Sequence, residues 1–322
     1  IDKNNISFII EDIRKNYAPD KRVSLFDIDF SIEQKSIVLR GETNIPTAKK
    51  ELLTSFKKNN ILFVDSIQII PSQELFGIIN NSVGNLRAKP SHSSELVSQT
   101  LLGTNVKVLK RVGEWYLIQT PDNYISWIDH GGIELVSEEF FIKYYTEKYF
   151  YNQPHGYSYE SRKMTQIVSD LVVGSILNVI EKENNLSKIQ YPDKRIGWVE
   201  TKNLTRIQDL KVKPMNFIEN SKKFLGIPYL WGGTSSNGFD CSGFTKTIYL
   251  MNGLVIPRDA SQQVNEGILV DNSRNWENLK PGDLMFFGYF KNGVRRIDHV
   301  AMWLGEGKFI QASKNVRINS VF

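Results

Sequence analysis

The sequence predicts a multi-domain α+β protein: an N-terminal α+β domain, two small β-barrels and a C-terminal α+β domain. Three observations predict it. The chain has 322 residues, more than one domain of roughly 150 residues usually takes. The segment from Gly103 aligns without gaps to the segment from Gly174, and both break into short strands. From about Asn216 the pattern changes to helix, Gly-rich loop, helix and then strands, an α+β order. The resulting boundaries are 1–75, 76–137, 138–210 and 211–322.

Within the first 75 residues, Ile6, Ile9, Ile10 and Ile13 recur at helical spacing between Asn5 and Lys15. RVSLFDIDF and SIVLRG read as strands, PTAKKELLTSFKKNN as a helix and ILFVDSIQII as a strand. Pro46 suits a first helical turn and Asn59-Asn60 its exit. No catalytic grouping is visible here, so 1–75 reads as an accessory domain. In the repeat, Val108/Val179, Gln119/Gln190, Pro121/Pro192, Asp122/Asp193 and Trp127/Trp198 coincide. Each copy reads strand, turn, strand, a Pro-Asp turn and a strand ending in Trp. Pro fixes φ and Asp supplies a side-chain acceptor, as such turns favour. Even spacing of short strands indicates a small barrel, with both Trp residues expected in the barrel cores. The pair resembles tandem bacterial SH3 (SH3b) domains, and NLRAKP at 85–90 matches how such modules begin. In the last domain, NFIENSKKFLG is an amphipathic helix with Gly226 as its expected C-cap, and CSGFTKTIYLMNG a helix closed by Asn252-Gly253. KPGDLMFFGYF, DHVAMWLG and KFIQAS read as strands.

Composition narrows the function. Forty basic against 35 acidic residues leave +5, too dispersed for a nucleic-acid partner although compatible with an acidic ligand. No apolar run approaches the ~18 residues of a transmembrane helix. The chain starts at Ile1 with no basic start or signal core, so either a targeting segment has been removed or the chain has been trimmed. One Cys and four His exclude a disulfide framework and a multi-Cys metal site, and no metal or cofactor is expected.

The single Cys241 stands where the Gly-rich loop meets a helix. Unpaired N–H groups and the helix dipole favour a thiolate there. A lone Cys also serves as a small core filler, and both readings remain open on the residues alone. A nucleophilic thiol needs a base. His92, His130 and His155 fall in or beside the barrels, whereas His299 shares the domain of Cys241. Gln311, on the following strand, can orient the imidazole.

PYLWGGTSSNGFDCSGF, IPRDASQQ, KPGDLMFF and DHVAMWLGEGKFIQAS together resemble the NlpC-type family of papain-like cell-wall cysteine peptidases. The four motifs stand in the family's order over about 100 residues. The resemblance implies a papain-like α+β catalytic domain, Cys241 as nucleophile, His299 as base and acid, and Gln311 where the family commonly has His. It places Tyr229 beside the nucleophile, near the oxyanion. Two SH3b modules ahead of such a domain further resemble γ-D-glutamyl-L-diamino acid endopeptidases (the dipeptidyl-peptidase VI type). These cleave murein stem peptides that have a free N-terminal L-Ala and release L-Ala-D-Glu. On that resemblance Asp240 is expected to face the substrate ammonium, since a buried charge needs a partner. Glu95, Tyr124 and Ser261 are expected to wall the non-primed side. A monomer in the cell envelope is expected, with the cytoplasm as the alternative compartment. The competing functions are a hydrolase of intact murein or cross-links and a catalytically dead wall-binding protein.

Overall fold

The computed structural model describes residues 3–33, 36–71, 75–146, 148–270 and 276–322. The N-terminal domain runs α1 (Lys3–Tyr17), β1 (Phe26–Glu33), β2 (Ser36–Thr43), α2 (Pro46–Lys58) and β3 (Phe63–Ile69). β1 and β2 form an antiparallel pair, and α2 is the crossover that makes β3 parallel to β2. Ile6, Ile9, Ile10 and Ile13 all point into one core with Leu39, Leu52, Phe56 and Ile67. That is the stripe the 3.6-residue period demands. Pro46 occupies the first turn of α2 and Asn59 caps its end.

The first barrel comprises β4 (Phe76–Ile79), β5 (Val83–Arg87), β6 (Leu96–Leu101), β7 (Asn105–Val112), β8 (Trp115–Gln119), β9 (Ile125–Asp129) and β10 (Ile133–Val136). Their order is β10-β4-β7-β8-β9-β5-β6. After the short helix α3 (Glu138–Tyr144), capped by the Ser137 hydroxyl, the second barrel repeats the plan. It contains β11 (Lys148–Tyr151), β12 (His155–Tyr159), β13 (Ile167–Val172), β14 (Ile176–Glu183), β15 (Leu186–Gln190), β16 (Ile196–Glu200) and β17 (Leu204–Arg206). Its order, β13-β12-β16-β15-β14-β11-β17, is the first order traced from the other edge. Even the bulges coincide: Leu109 and Ile180 are each skipped in the pairing with the next strand. Both Pro-Asp turns pass through a left-handed residue, Asn123 at φ 65° and Lys194 at φ 71°.

The tryptophans correct one expectation. Trp127 packs with Leu25, Ile70, Leu109 and Leu117, joining the N-terminal domain to the barrel. Trp198 is buried under Arg162 and Lys188. Neither belongs to its barrel's core, because strand alternation sends Ile128 and Val199 inward and the preceding Trp to the opposite face.

The C-terminal domain contains α4 (Pro214–Lys222), a minute hairpin β18 (Thr234–Ser235) and β19 (Gly238–Phe239), α5 (Cys241–Met251) and α6 (Ala260–Gln263). The antiparallel sheet β20 (Leu284–Lys291), β21 (Val294–Gly305), β22 (Lys308–Ser313) and β23 (Asn315–Ser320) follows. α4 begins at Pro214 and ends at Lys222, with Lys223 as its cap. Gly226 therefore lies beyond the helix in a separate turn at φ 86°. Phe217, Phe224, Phe239, Phe244 and Ile248 pack on Met302 and Ile310 of the sheet, and Phe150 and Val173 of the second barrel complete this core.

Candidate active site

α5 begins at the nucleophile because Asp240 caps it. The Asp240 backbone is extended (φ −88°, ψ 178°) and its Oδ1 accepts from Gly243 N at 2.7 Å. The first turn of α5 lies so close to the preceding loop that a Cβ on Gly243 would stand 2.0 Å from the Gly233 oxygen. Gly232 (φ 78°) also approaches the Leu96 carbonyl of the first barrel, with 2.4 Å for a notional Cβ. Only glycine satisfies both the left-handed backbone and that contact.

Cys241 is buried against Ala260 of α6 and Val300 of β21. The Val300 and Ser242 N–H groups face its sulfur. This seats the thiol beside the residue that follows His299. His299 Nε2 lies 2.5 Å from Gln311 Oε1, and Gln311 Nε2 donates to Asn319 Oδ1 at 2.9 Å. The second bond fixes the amide so that its oxygen faces the ring. Nε2 therefore carries the proton, and Nδ1 is the basic nitrogen of the neutral imidazole. Phe287 flanks the ring, 5.7 Å between centroids.

The thiol itself differs from expectation. Burial and then the Asp240 charge raise its pKa above the ordinary 9.0, outweighing the backbone N–H groups and Arg258, which act in the opposite direction. The helix terminus alone would favour thiolate; the desolvated site and the adjacent carboxylate win. Tyr229, held by its N–H to Lys314 O at 2.9 Å, has its phenol pushed up to about 12 by burial and by the Cys241 and Asp240 charges. It therefore stays an O–H donor near the sulfur.

Asp240 does more than cap. Arg258, fully buried, donates Nη2 to Asp240 Oδ2 at 2.6 Å and Nη1 to Oδ1 at 3.1 Å. Gly232 N donates to Oδ2 at 3.0 Å. The carboxylate expected to meet a substrate ammonium is thus already filled from within the chain. Arg258 also donates Nε to Ser98 Oγ of the first barrel at 2.9 Å, and lies 3.9 Å from Asp259. Gln263 of α6 donates to Ser242 O at 3.1 Å, tying α6 to the nucleophile's turn.

The first barrel does line this region. Glu95, exposed, accepts from Trp231 Nε1 at 2.8 Å, reaching the loop before Cys241. Tyr124 is buried with its phenol raised by burial and Asp259, while Arg258 and Arg22 pull it down. Ser261 Oγ accepts from Arg22 Nη1 at 3.0 Å, a contact from the N-terminal domain. The structure thus places Cys241 against the strand that carries His299, His299 against Gln311 and Tyr229 within the field of Cys241. Glu95 meets the loop ahead of the nucleophile, Tyr124 lies within the field of Asp259 and Ser261 meets Arg22 of the N-terminal domain. Arg258, Asn319 and Arg22 were missed by sequence reasoning. Arg258 stands inside the IPRDASQQ motif, and Asn319 falls on the same strand face as Gln311 once alternation is continued through β22 and β23.

A thiol at a helix N-terminus, packed on the strand of an antiparallel sheet that carries an imidazole held by an amide, defines the class of cysteine peptidases. The NlpC/P60 family matches residues 226–322, the bacterial SH3 domain residues 82–134 and the GW (Gly-Tryp) dipeptide domain residues 137–205. The second barrel contains the dipeptide Gly197-Trp198. The chain is 30% identical over 239 residues to a γ-D-glutamyl-L-lysine dipeptidyl-peptidase of Bacillus cereus, covering 70% of each chain. It is 26% identical to dipeptidyl-peptidase 6 of Lysinibacillus sphaericus, over 76% of this chain and 91% of that one. A solved NlpC/P60 family protein from Bacillus cereus superposes with a TM-score of 0.66 at 27% identity, over 76% of this chain and 94% of that one. The protein belongs to the NlpC/P60 family and is a cysteine peptidase that carries bacterial SH3 modules.

Proposed function

We propose that the protein hydrolyses the γ-D-glutamyl–diamino acid bond of murein stem peptides with a free N-terminal L-Ala, releasing L-Ala-D-Glu in the cell envelope. One observation carries the reading: the first barrel reaches the loop ahead of Cys241, where Trp231 Nε1 donates to Glu95 at 2.8 Å, and the thiol of that same domain packs on the strand that carries the amide-held His299. A barrel packed against that loop suits a short peptide end rather than a continuous strand. The names of the two curated relatives agree with it.

In the reaction, the Cys241 sulfur attacks the γ-carbonyl carbon while its proton passes to His299 Nδ1. The raised thiol pKa makes this transfer part of the attack rather than a prior event. The carbonyl oxygen gains the negative charge and takes hydrogen bonds from the Cys241 N–H, which has no intrahelical acceptor at its position, and from the Tyr229 hydroxyl. The imidazolium then protonates the leaving amine as the C–N bond breaks. Water, deprotonated by His299, cleaves the thioester and restores the thiol.

The test follows dipeptide release from L-Ala-γ-D-Glu-diaminopimelate and its lysine counterpart. Cys241→Ala and His299→Ala should each lower kcat by about a thousandfold or more. The N-acetylated substrate should turn over far more slowly than the free amine. Undiminished release by Cys241→Ala would overturn the assignment, and equal turnover of both substrates would overturn the free-amine requirement.

A further inference from the structure

Five charged side chains run in unbroken alternation from the N-terminal domain to the nucleophile's neighbour. Asp20 receives both Arg22 Nε (2.8 Å) and Nη2 (2.7 Å). Arg22 Nη1 reaches Asp259 Oδ2 at 2.8 Å and Ser261 at 3.0 Å. Asp259 lies 3.9 Å from Arg258, which grips Asp240. The row begins and ends on an acid, so three carboxylates face two guanidinium groups and one negative charge is left over.

The N-terminal end is firmly placed. Gln262 Nε2 of α6 donates to Asp20 Oδ2 at 2.8 Å, Ile125 N of the first barrel donates to Arg22 O at 2.6 Å, and Gln119 Nε2 donates to Val23 O at 3.1 Å. The loop between α1 and β1 is thereby wedged between the Tyr124 region and α6. Arg22, Asp20 and Asp259 keep 35, 27 and 26% of their side chains exposed, so the surplus charge is open to a ligand as well as to solvent.

We propose that Asp20 and Arg22 make the N-terminal domain a specificity-determining wall of the peptidase site: their pairing fixes α6 and sets the row at one unit of negative charge, matched to a substrate end bearing a single ammonium. Asp20 and Arg22 act here through Asp259 and α6, as positioning residues. An ammonium entering beside Asp259 neutralises the row; a neutral N-acyl end leaves the surplus uncompensated. The inference rests on the free-amine reading given above.

The experiment compares kcat/KM for free-amine and N-acetylated L-Ala-γ-D-Glu-diaminopimelate in the full chain and in three variants. Asp20→Asn removes the surplus charge and should lower the free-amine preference on the order of fivefold, the weight of one charge a few ångströms away at high dielectric, mainly through KM. Arg22→Gln adds an uncompensated negative charge and should move the ratio the opposite way, while Arg22→Lys should restore it towards wild type. A wild-type enzyme without amine preference rejects the functional reading and this inference with it. A wild-type preference that survives unchanged in Asp20→Asn and Arg22→Gln overturns this inference alone. So does an equal loss on both substrates, which would make the loop only a brace.

Discussion

The two barrels share one topology, one pair of bulges and one Pro-Asp turn, yet the same turn does different work in each. In the first, Asp122 is almost fully buried and its carboxylate meets Lys246 of α5 at 2.5 Å. In the second, Asp193 pairs at 2.6 Å with its own module's Arg195 and at 3.2 Å with Asn80 of the first barrel. Gln99 of the first barrel accepts from Thr234 N at 3.0 Å and Ser235 Oγ at 3.2 Å, anchoring the hairpin ahead of the nucleophile. Its repeat counterpart, Asp170, accepts an exposed bond from Ser82 at 2.7 Å. A fold fixed by strand order leaves its turn and edge side chains free to diverge. One copy holds the hairpin and helix that flank Cys241, while the other adds Phe150 and Val173 to the core of the C-terminal domain.

The contrast is easiest to break at the shared turn. Asp122→Ala strands a partly buried lysine and should cost about 3–5 kcal/mol in urea unfolding. Asp193→Ala, a more exposed pair, should cost about 1 kcal/mol or less; equal losses would erase the distinction. Next in size, Gln99→Ala leaves the Thr234 N–H and the Ser235 hydroxyl unpaired and should cost about 1–3 kcal/mol, with lower kcat/KM. Asp170→Ala should stay within about 0.5 kcal/mol, and a larger loss there would assign the second barrel a docking role. The smallest effect is read at the thiol. Because the Cys241 pKa is raised above 9.0, the reactive thiolate fraction grows as pH rises, and iodoacetamide labelling of the folded enzyme should still be accelerating above pH 9. A plateau below pH 8 would contradict this. Ser98→Ala, which loosens Arg258, should displace the curve upward by a few tenths of a pH unit. Ser169→Ala, its repeat counterpart, should leave the curve in place.

What could be read from the sequence was what is local. Ile6 to Ile13, Pro46 and the Pro-Asp turns announce their elements through periodicity and fixed dihedrals. Cys241, His299 and Gln311 stood out because their residue types are rare or follow one another on neighbouring strands. The ionic row did not stand out, since Arg22 and Asp259 are 237 residues apart and each alone looks like solvated surface. Asp240 was noticed for its place beside Cys241, but its true partner, Arg258, lies 18 residues on. The raised thiol pKa was equally hidden, because it depends on how deeply tertiary packing sinks the sulfur.

Arg258 places a limit on cutting and pasting these modules. Its guanidinium clasps Ser98 of one domain and Asp240 of another, so one buried side chain spans the border between barrel and peptidase. Shuffling a foreign barrel in front of residues 211–322 would have to supply that hydroxyl at the same ångström. The chain is a string of cassettes only on paper; in three dimensions the cassette boundary has been welded.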